Sequence, residues 1–296
     1  MRGKDAFGGC HPFVNLAYFA FVIFFLMFFM HPIVLGISLF GAVCYHVKLN
    51  GCGSARFFLK FALPVTVLTA VINSLFNHRG ETVLMWLHNG NPITLESVLY
   101  GLAAAVMMVG VLTWFGCCTA VMTADKLVYL FGRVIPSLSL VLSMTLRFVP
   151  RFADRFERVR EARLCMGRPR SARGRLKNAL ECFSVMTMWS LEGSIETADS
   201  MISRGYGLRG RTSYSLYVMT ERDVCILTWL GLCAVFLISG AASGHFEWHY
   251  FPEVGGSLTG APLDVALYAA YFAVCATPAV IDILEDLKWR SSRSGL

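Results

Sequence analysis

Apolar residues run through this chain in blocks of about twenty, with the polar positions gathered between them. A helix needs roughly 20 apolar residues, about 17 at the short end, to cross a bilayer. Blocks of that kind lie near residues 13–30, 32–48, 57–76, 95–118, 223–243 and 262–282. His31-Pro32 separates the first two, since proline lacks the amide hydrogen of a continuing helix and restricts the residue before it. Between the fourth and fifth blocks the pattern changes. Residues 123–222 are rich in charge yet keep an apolar share too large for disorder, with Leu138, Leu140, Val141, Leu142, Met144, Leu146 and Phe148 clustered before Pro150. Three helices are predicted there, near 124–149, 151–166 and 174–204, the last two divided at Gly167-Arg168-Pro169.

The expected fold is therefore an all-α polytopic membrane protein of about six transmembrane helices, with a cytoplasmic helical domain inserted between the fourth and fifth. The expected boundaries are 1–122, 123–222 and 223–296. Composition agrees: of 296 residues 56% are hydrophobic and 15% charged, against about 25% charged in a soluble domain.

Charge sets the orientation. Of 26 Lys and Arg, 17 lie between Lys126 and Arg222, against nine Asp and Glu in 123–222. With six crossings and both termini in the cytoplasm, only Arg79 falls in an outer loop, so the positive-inside rule is met. The net charge of +7 then reads as a topogenic signal rather than a nucleic-acid surface. Arg2 and Lys4 before an apolar run imitate a signal peptide, but the run is too long and lacks a small-residue cleavage site, so it is expected to stay attached. Ten cysteines form no C-x-x-C pair and read as buried thiols, the adjacent Cys117-Cys118 being badly placed to bridge each other.

Catalytic constellations do not emerge. The chain has no GxxxxGK[ST], no HExxH and no GxSxG, so any ATP it depends on is bound by another subunit. His245 and His249 flank Glu247 at helical spacing, but in a Gly- and Pro-bearing outer loop where Trp248 and Tyr250 read as membrane-surface aromatics; no metal site is assigned and no cofactor is expected. His46 and Lys60 fall near one end of their spans, Asp264 and Asp282 near opposite ends, and none at mid-membrane, where ion-driven transporters carry charge.

The inserted segment is more informative. Arg147, Arg151, Arg155 and Arg158 share a helix face, and Asp154 and Arg158 stand at pairing distance. Glu192, Glu196 and Asp199 make an acidic stripe beside the small residues Ser190, Gly193, Ser194 and Thr197, which would let this helix cross its predecessor closely. That helix ends on Ser203-Arg204-Gly205, a cation where the helix dipole is negative and a glycine able to take the left-handed cap.

ETADSMISRGYGLRGRTSY (196–214) resembles the second Ala-Arg-Gly signature of the transmembrane T component of energy-coupling factor (ECF) transporters, with Ser203-Arg204-Gly205 in the place of Ala-Arg-Gly. HRGETVL (78–84), ITLESVLYGL (93–102), DKLVYLFGRVIPSLSLVLSMTLRFVPRF (125–152) and EDLKWR (285–290) are similar to further segments of that family in the same order. The first signature should close the helix REARLCMG, where this chain reads Cys165-Met166-Gly167: the glycine stays and the arginine is replaced.

The resemblance implies a non-enzymatic coupling subunit. It would join two cytosolic ABC-type ATPase subunits to a small membrane substrate-binding subunit for vitamin or transition-metal (cobalt-type) uptake in a prokaryotic membrane. Arg204 would pair with an acidic residue in an ATPase groove. At the other tip Arg163 or Arg168 would substitute for the missing arginine, or Met166 would make an apolar contact. Leu138, Val141, Leu142 and Leu146 would hold the substrate-binding subunit. A conventional ABC permease half, binding substrate in its own spans, is the alternative, and a membrane-embedded enzyme a weaker third.

Overall fold

The computed structural model describes residues 6–77, 79–86, 92–167, 171–208, 217–252, 254–256 and 262–294. The helices are α1 (Pro12–Phe28), α2 (Pro32–Asn50), α3 (Cys52–Phe57), α4 (Leu63–Phe76), α5 (Leu95–Val121), α6 (Ala124–Val134), α7 (Pro136–Cys165), α8 (Ala172–Ser203), α9 (Glu221–Ala242) and α10 (Pro262–Ser294). Two short antiparallel strands, β1 (Val83–Trp86) and β2 (Pro92–Thr94), interrupt an otherwise helical chain. Four helical stretches, 32–50, 95–121, 221–242 and 262–288, are long and apolar enough to cross a membrane, and 12–28 and 60–76 are shorter apolar helices. The protein is thus a helical membrane protein.

Two boundaries differ from expectation, both at prolines. The span expected over 57–76 is not one regular helix: a π-helical turn, Phe58–Ala62, joins α3 to α4. Pro64, in the first turn of α4, cannot donate to the carbonyl four residues back, and the wider turn accommodates that loss. In the inserted segment the break comes at Ile135, with Pro136 opening α7 where proline's fixed φ suits a first turn. Pro150, expected to separate two helices, lies inside α7.

The chain divides into two compact units, Met1–Thr123 with Val218–Leu296, and Ala124–Tyr217. The first has a dense aromatic core. Trp114 is fully buried, donates its indole N–H to Ser38 Oγ at 3.0 Å, and meets Tyr18 and Phe19 edge-on. Phe25, Phe246 and Tyr271 continue this core toward the α9–α10 link. There Tyr268 stacks on His31, and His245 Nδ1 lies 2.6 Å from the buried carboxylate of Asp264. Opposite polar ends are tied as firmly. The Phe7 amide donates to Asp282, which also pairs with Lys48 at 3.3 Å, and the His11 amide donates to Asp223, the capping-box residue of α9. The cysteines with described side chains are unbridged.

The second unit is built differently. Tyr129 of α6 donates to the Tyr217 carbonyl and packs on its ring, while Ser139 of α7 donates to Val128 of α6. Burial, and then the nearby Asp125 carboxylate, push the Tyr217 phenol upward. Among the described residues of this unit only Lys126 and Cys182 are buried.

Candidate functional site

Arg204 and Met166 cap the two long helices of the second unit. At the end of α8 the Gly205 amide donates to Ile202 O at 2.9 Å and the Tyr206 amide to Met201 O at 3.0 Å. This pair of bonds is a Schellman motif, closed by Gly205 at φ +77. A side chain with a Cβ pays for that φ in strain, so glycine is required there. Arg204 is the C-cap residue itself, at φ −84 and ψ 6, and its exposed side chain forms no ion pair among the described residues. The geometry leaves a guanidinium projecting from a rigid, carbonyl-rich helix end.

The end of α7 is related but not identical. Met166 is the C-cap, its amide donating to Arg163 O, and the Gly167 amide donates to Leu164 O at 3.3 Å. Gly167 has φ +145, again outside the range that residues with a Cβ favour. Met166 is 77% exposed, so this tip presents a thioether where the other presents a cation. Cys165, the last residue of α7, is also exposed.

Arg163 has another occupation. Its Nε donates to Asn178 Oδ1 at 2.9 Å and its guanidinium pairs with Glu181, both on α8. It therefore fixes the spacing of α7 and α8 near one end of their contact. Arg168 lies outside the described residues.

Further along, the two helices meet through Trp189. Phe152 packs edge-on against its ring at 5.8 Å, and the Arg155 guanidinium lies 5.1 Å above it. Of the small residues expected to allow a close crossing, Ser190 lines a groove with Phe152 and Ala153 of α7, whereas a Cβ at Gly193 would meet nothing within 4 Å. Asp154 and Arg158 form no ion pair among the described residues; Glu157 and Arg160 pair instead, on the surface.

A groove of about 470 Å³ opens beside this contact, lined by Phe152, Phe156, Phe183, Met186 and Leu191 among others. Leu176, Leu180, Phe183, Leu191, Ile195 and Ile202, each at least 60% exposed, recur along one side of α8. On α7, Leu138, Val141 and Leu146 are exposed and Leu142 half-buried, all in its first three turns. The sequence reading missed Trp189, Asn178 and Glu181. The signal was available in Trp189, an aromatic in a helix otherwise read for its acidic stripe.

Among the described residues this arrangement brings together no nucleophile, base or carboxylate pair. Two long helices end in exposed tips and carry an exposed apolar flank. Comparison with known proteins gives the family. The profile of the cobalt transport protein family, CbiQ, matches residues 10–214. A Staphylococcus aureus (strain 04-02981) protein, energy-coupling factor transporter transmembrane protein EcfT, is 23% identical over 243 residues, covering 76% of this chain and 90% of that protein. The EcfT of Lactobacillus helveticus (strain DPC 4571) is 30% identical over 115 residues, covering 36% of this chain and 42% of that one. With the family profile spanning most of its length and a helical membrane fold around it, the chain belongs to the CbiQ family of cobalt transport proteins.

Proposed function

We propose that this chain is the transmembrane coupling subunit of an ECF-type importer, carrying motion from two cytosolic ATPases to a small membrane substrate-binding subunit. The observation that carries this reading is the α8 tip: a Schellman-capped end with an exposed Arg204 and no acidic partner among the described residues. Arg204 pairs with a carboxylate in an ATPase groove. Met166 fills the apolar counterpart of that contact on the second ATPase, because Arg163 is engaged within the chain.

ATP-driven approach of the two ATPases then brings the tips together. The Arg163–Glu181 and Arg155–Trp189 contacts make α7 and α8 move as linked levers. The apolar groove and the exposed flank of α7 at Leu138, Val141, Leu142 and Leu146 hold the substrate-binding subunit, which reorients with them. Six crossings with both termini in the cytoplasm place the Ala124–Tyr217 unit on the ATPase side, as the positive-inside rule requires. The cargo, a vitamin or a transition-metal ion, is selected by the partner subunit and not by this chain.

Removing one partner of a desolvated interfacial charge pair costs about 2–5 kcal/mol. Arg204→Glu should therefore abolish ATPase retention when the tagged chain is purified from its native membrane, while membrane insertion and accumulation stay normal. Identification of the co-purifying proteins by mass spectrometry should give two ATPases and a small hydrophobic protein with the wild type. Undiminished ATPase recovery and uptake by Arg204→Glu would remove Arg204 from the contact. Purification of the wild type alone under every nucleotide condition would reject the coupling function.

A further inference from the structure

The hairpin β1–β2, between α4 and α5, exposes every side chain of its first strand: Val83 43%, Leu84 59%, Met85 65% and Trp86 68%. Successive strand residues point to opposite faces, so a hairpin with water on one side alternates apolar with polar. In β1 both faces are apolar, and the described residues cover neither. A lone two-stranded hairpin of this kind is at best marginally stable in water.

Its root, by contrast, is fixed. The Thr82 amide and hydroxyl both donate to Glu96 Oε1, Thr94 donates to the Arg79 carbonyl, and Ser97 donates to the Asn77 carbonyl. Thr94, Glu96 and Ser97 are buried, and they form the N-cap and first turn of α5. The strands are thereby held at the level where α4 ends and α5 begins. α4 itself has no buried residue, and its exposed Val67, Leu68, Val71, Ile72, Leu75 and Phe76 lead up to the same level.

We infer that this hairpin is an interfacial membrane anchor, lying in the boundary between headgroups and acyl chains beside α4 and α5. Three features favour lipid over a protein partner. Lipid wraps both faces of a thin hairpin, whereas a docked protein covers one. The apolar strand continues the uncovered flank of a helix that crosses the bilayer in the six-span topology. Trp86 belongs to the residue type enriched at membrane interfaces. The unpaired outer edges of a two-stranded sheet exclude the hydrocarbon core, where nothing would satisfy them, and so set its depth at the headgroups. On the topology proposed above, this is the outer leaflet. The anchor holds the depth of the α4–α5 pair while other elements move.

The test is the fluorescence of the full chain in nanodiscs of phosphatidylethanolamine and phosphatidylglycerol, with Trp86 isolated as the difference between wild type and Trp86→Phe. Nitroxide lipids labelled at the headgroup or at the top of the acyl chain should quench that component more than lipids labelled near the bilayer centre, and aqueous iodide should quench it weakly. Iodide quenching with no lipid quenching would overturn the anchor, as would shielding that appears only when partner subunits are added. Should Trp86→Phe fail to accumulate, a lipid with a headgroup-proximal diazirine can be photolysed on the unmodified chain. Adducts on the 82–86 peptide are then expected, and their absence overturns the proposal. Both measurements read the hairpin alone and do not depend on whether Arg204 docks on an ATPase.

Discussion

The unit formed by residues 1–123 with 218–296 buries Trp114, Tyr18, Phe19, Tyr45 and Tyr271 almost completely, while the described residues of 124–217 bury only Lys126 and Cys182. Both contain long helices and both are rich in aromatic and aliphatic residues. Their difference is where the apolar surface goes. The first unit has a core of interlocking rings, and its outer apolar residues, among them Phe76, Leu232 and Val235 at 70% exposure or more, lie on apolar helices of the membrane-spanning kind. The second keeps Leu180, Phe183, Met188, Leu191 and Ile202 at 60% exposure or more, far beyond what an isolated soluble helix pair tolerates. A scaffold with a packed core and a unit with almost no buried residue among those described are joined in one chain, and substitutions should act on them in opposite ways.

The largest effect should come from the scaffold. Trp114→Ala removes a buried ring and its bond to Ser38, a change worth about 3–5 kcal/mol. Its thermal midpoint in detergent should fall sharply for the chain alone. An unchanged midpoint would mean the aromatic core is not what holds this unit.

Arg204→Glu should show the reverse pattern. The chain alone should melt as the wild type does, because the side chain is exposed and forms no ion pair among the described residues, yet ATPase affinity should drop by roughly 30-fold or more. Phe183→Glu should likewise leave the isolated chain intact and release the substrate-binding subunit, since Phe183 is 69% exposed and lines the groove. Loss of chain stability in either variant would erase the distinction between the two units.

A smaller effect tests how the sparsely buried unit keeps its shape. Glu181→Arg places two cations together at the α7–α8 contact. Both partners are partly exposed, so the pair is worth about 1 kcal/mol, near fivefold in ATPase affinity. The double variant Arg163→Glu with Glu181→Arg should recover most of that loss. A double variant as weak as the single would assign Arg163 to the ATPase contact itself.

The same contrast explains what the sequence disclosed. Spans declare themselves because hydrocarbon demands unbroken apolar runs: four of the six expected segments fall on helices long and apolar enough to cross, the other two on the shorter α1 and on the α3–π–α4 stretch, and His31-Pro32 marks the change from α1 to α2. The helix end at Arg204 was legible because dipole, cation and glycine agree within three residues. Helix limits governed by tertiary packing were not. Pro150 removes one hydrogen bond, a cost of about 3 kcal/mol in a free helix. α7 nevertheless continues through it, with Phe148 stacked on Phe152 across the proline and Phe152 in turn against Trp189. Local propensity argues for a break there, and contacts distant in sequence outweigh it. The intrachain partners of Arg163 were hidden for the same reason: nothing in residues 160–168 reveals that Asn178 and Glu181 face it.

The last predicted effect, silent at neutral pH, lies at the scaffold's α9–α10 link, where burial is dense enough to alter an acid. Tyr250 donates its hydroxyl to the Met30 carbonyl at 2.8 Å, and burial, with Tyr100 adding a smaller part, pushes its phenol up to about 12. In an unfolded chain a tyrosine ionises near pH 10. The folded state therefore binds this proton more tightly, so the bond's contribution is complete below pH 10 and is lost as pH rises from there through 12. Ultraviolet titration of wild type against Tyr250→Phe should give a difference curve with its midpoint near 12, and the wild type's thermal midpoint should fall more steeply than the variant's over that interval. A difference curve centred on 10 would show an open link at this end of the scaffold, and the contrast between a packed unit and a sparsely buried one would then hold only for its deeper layers.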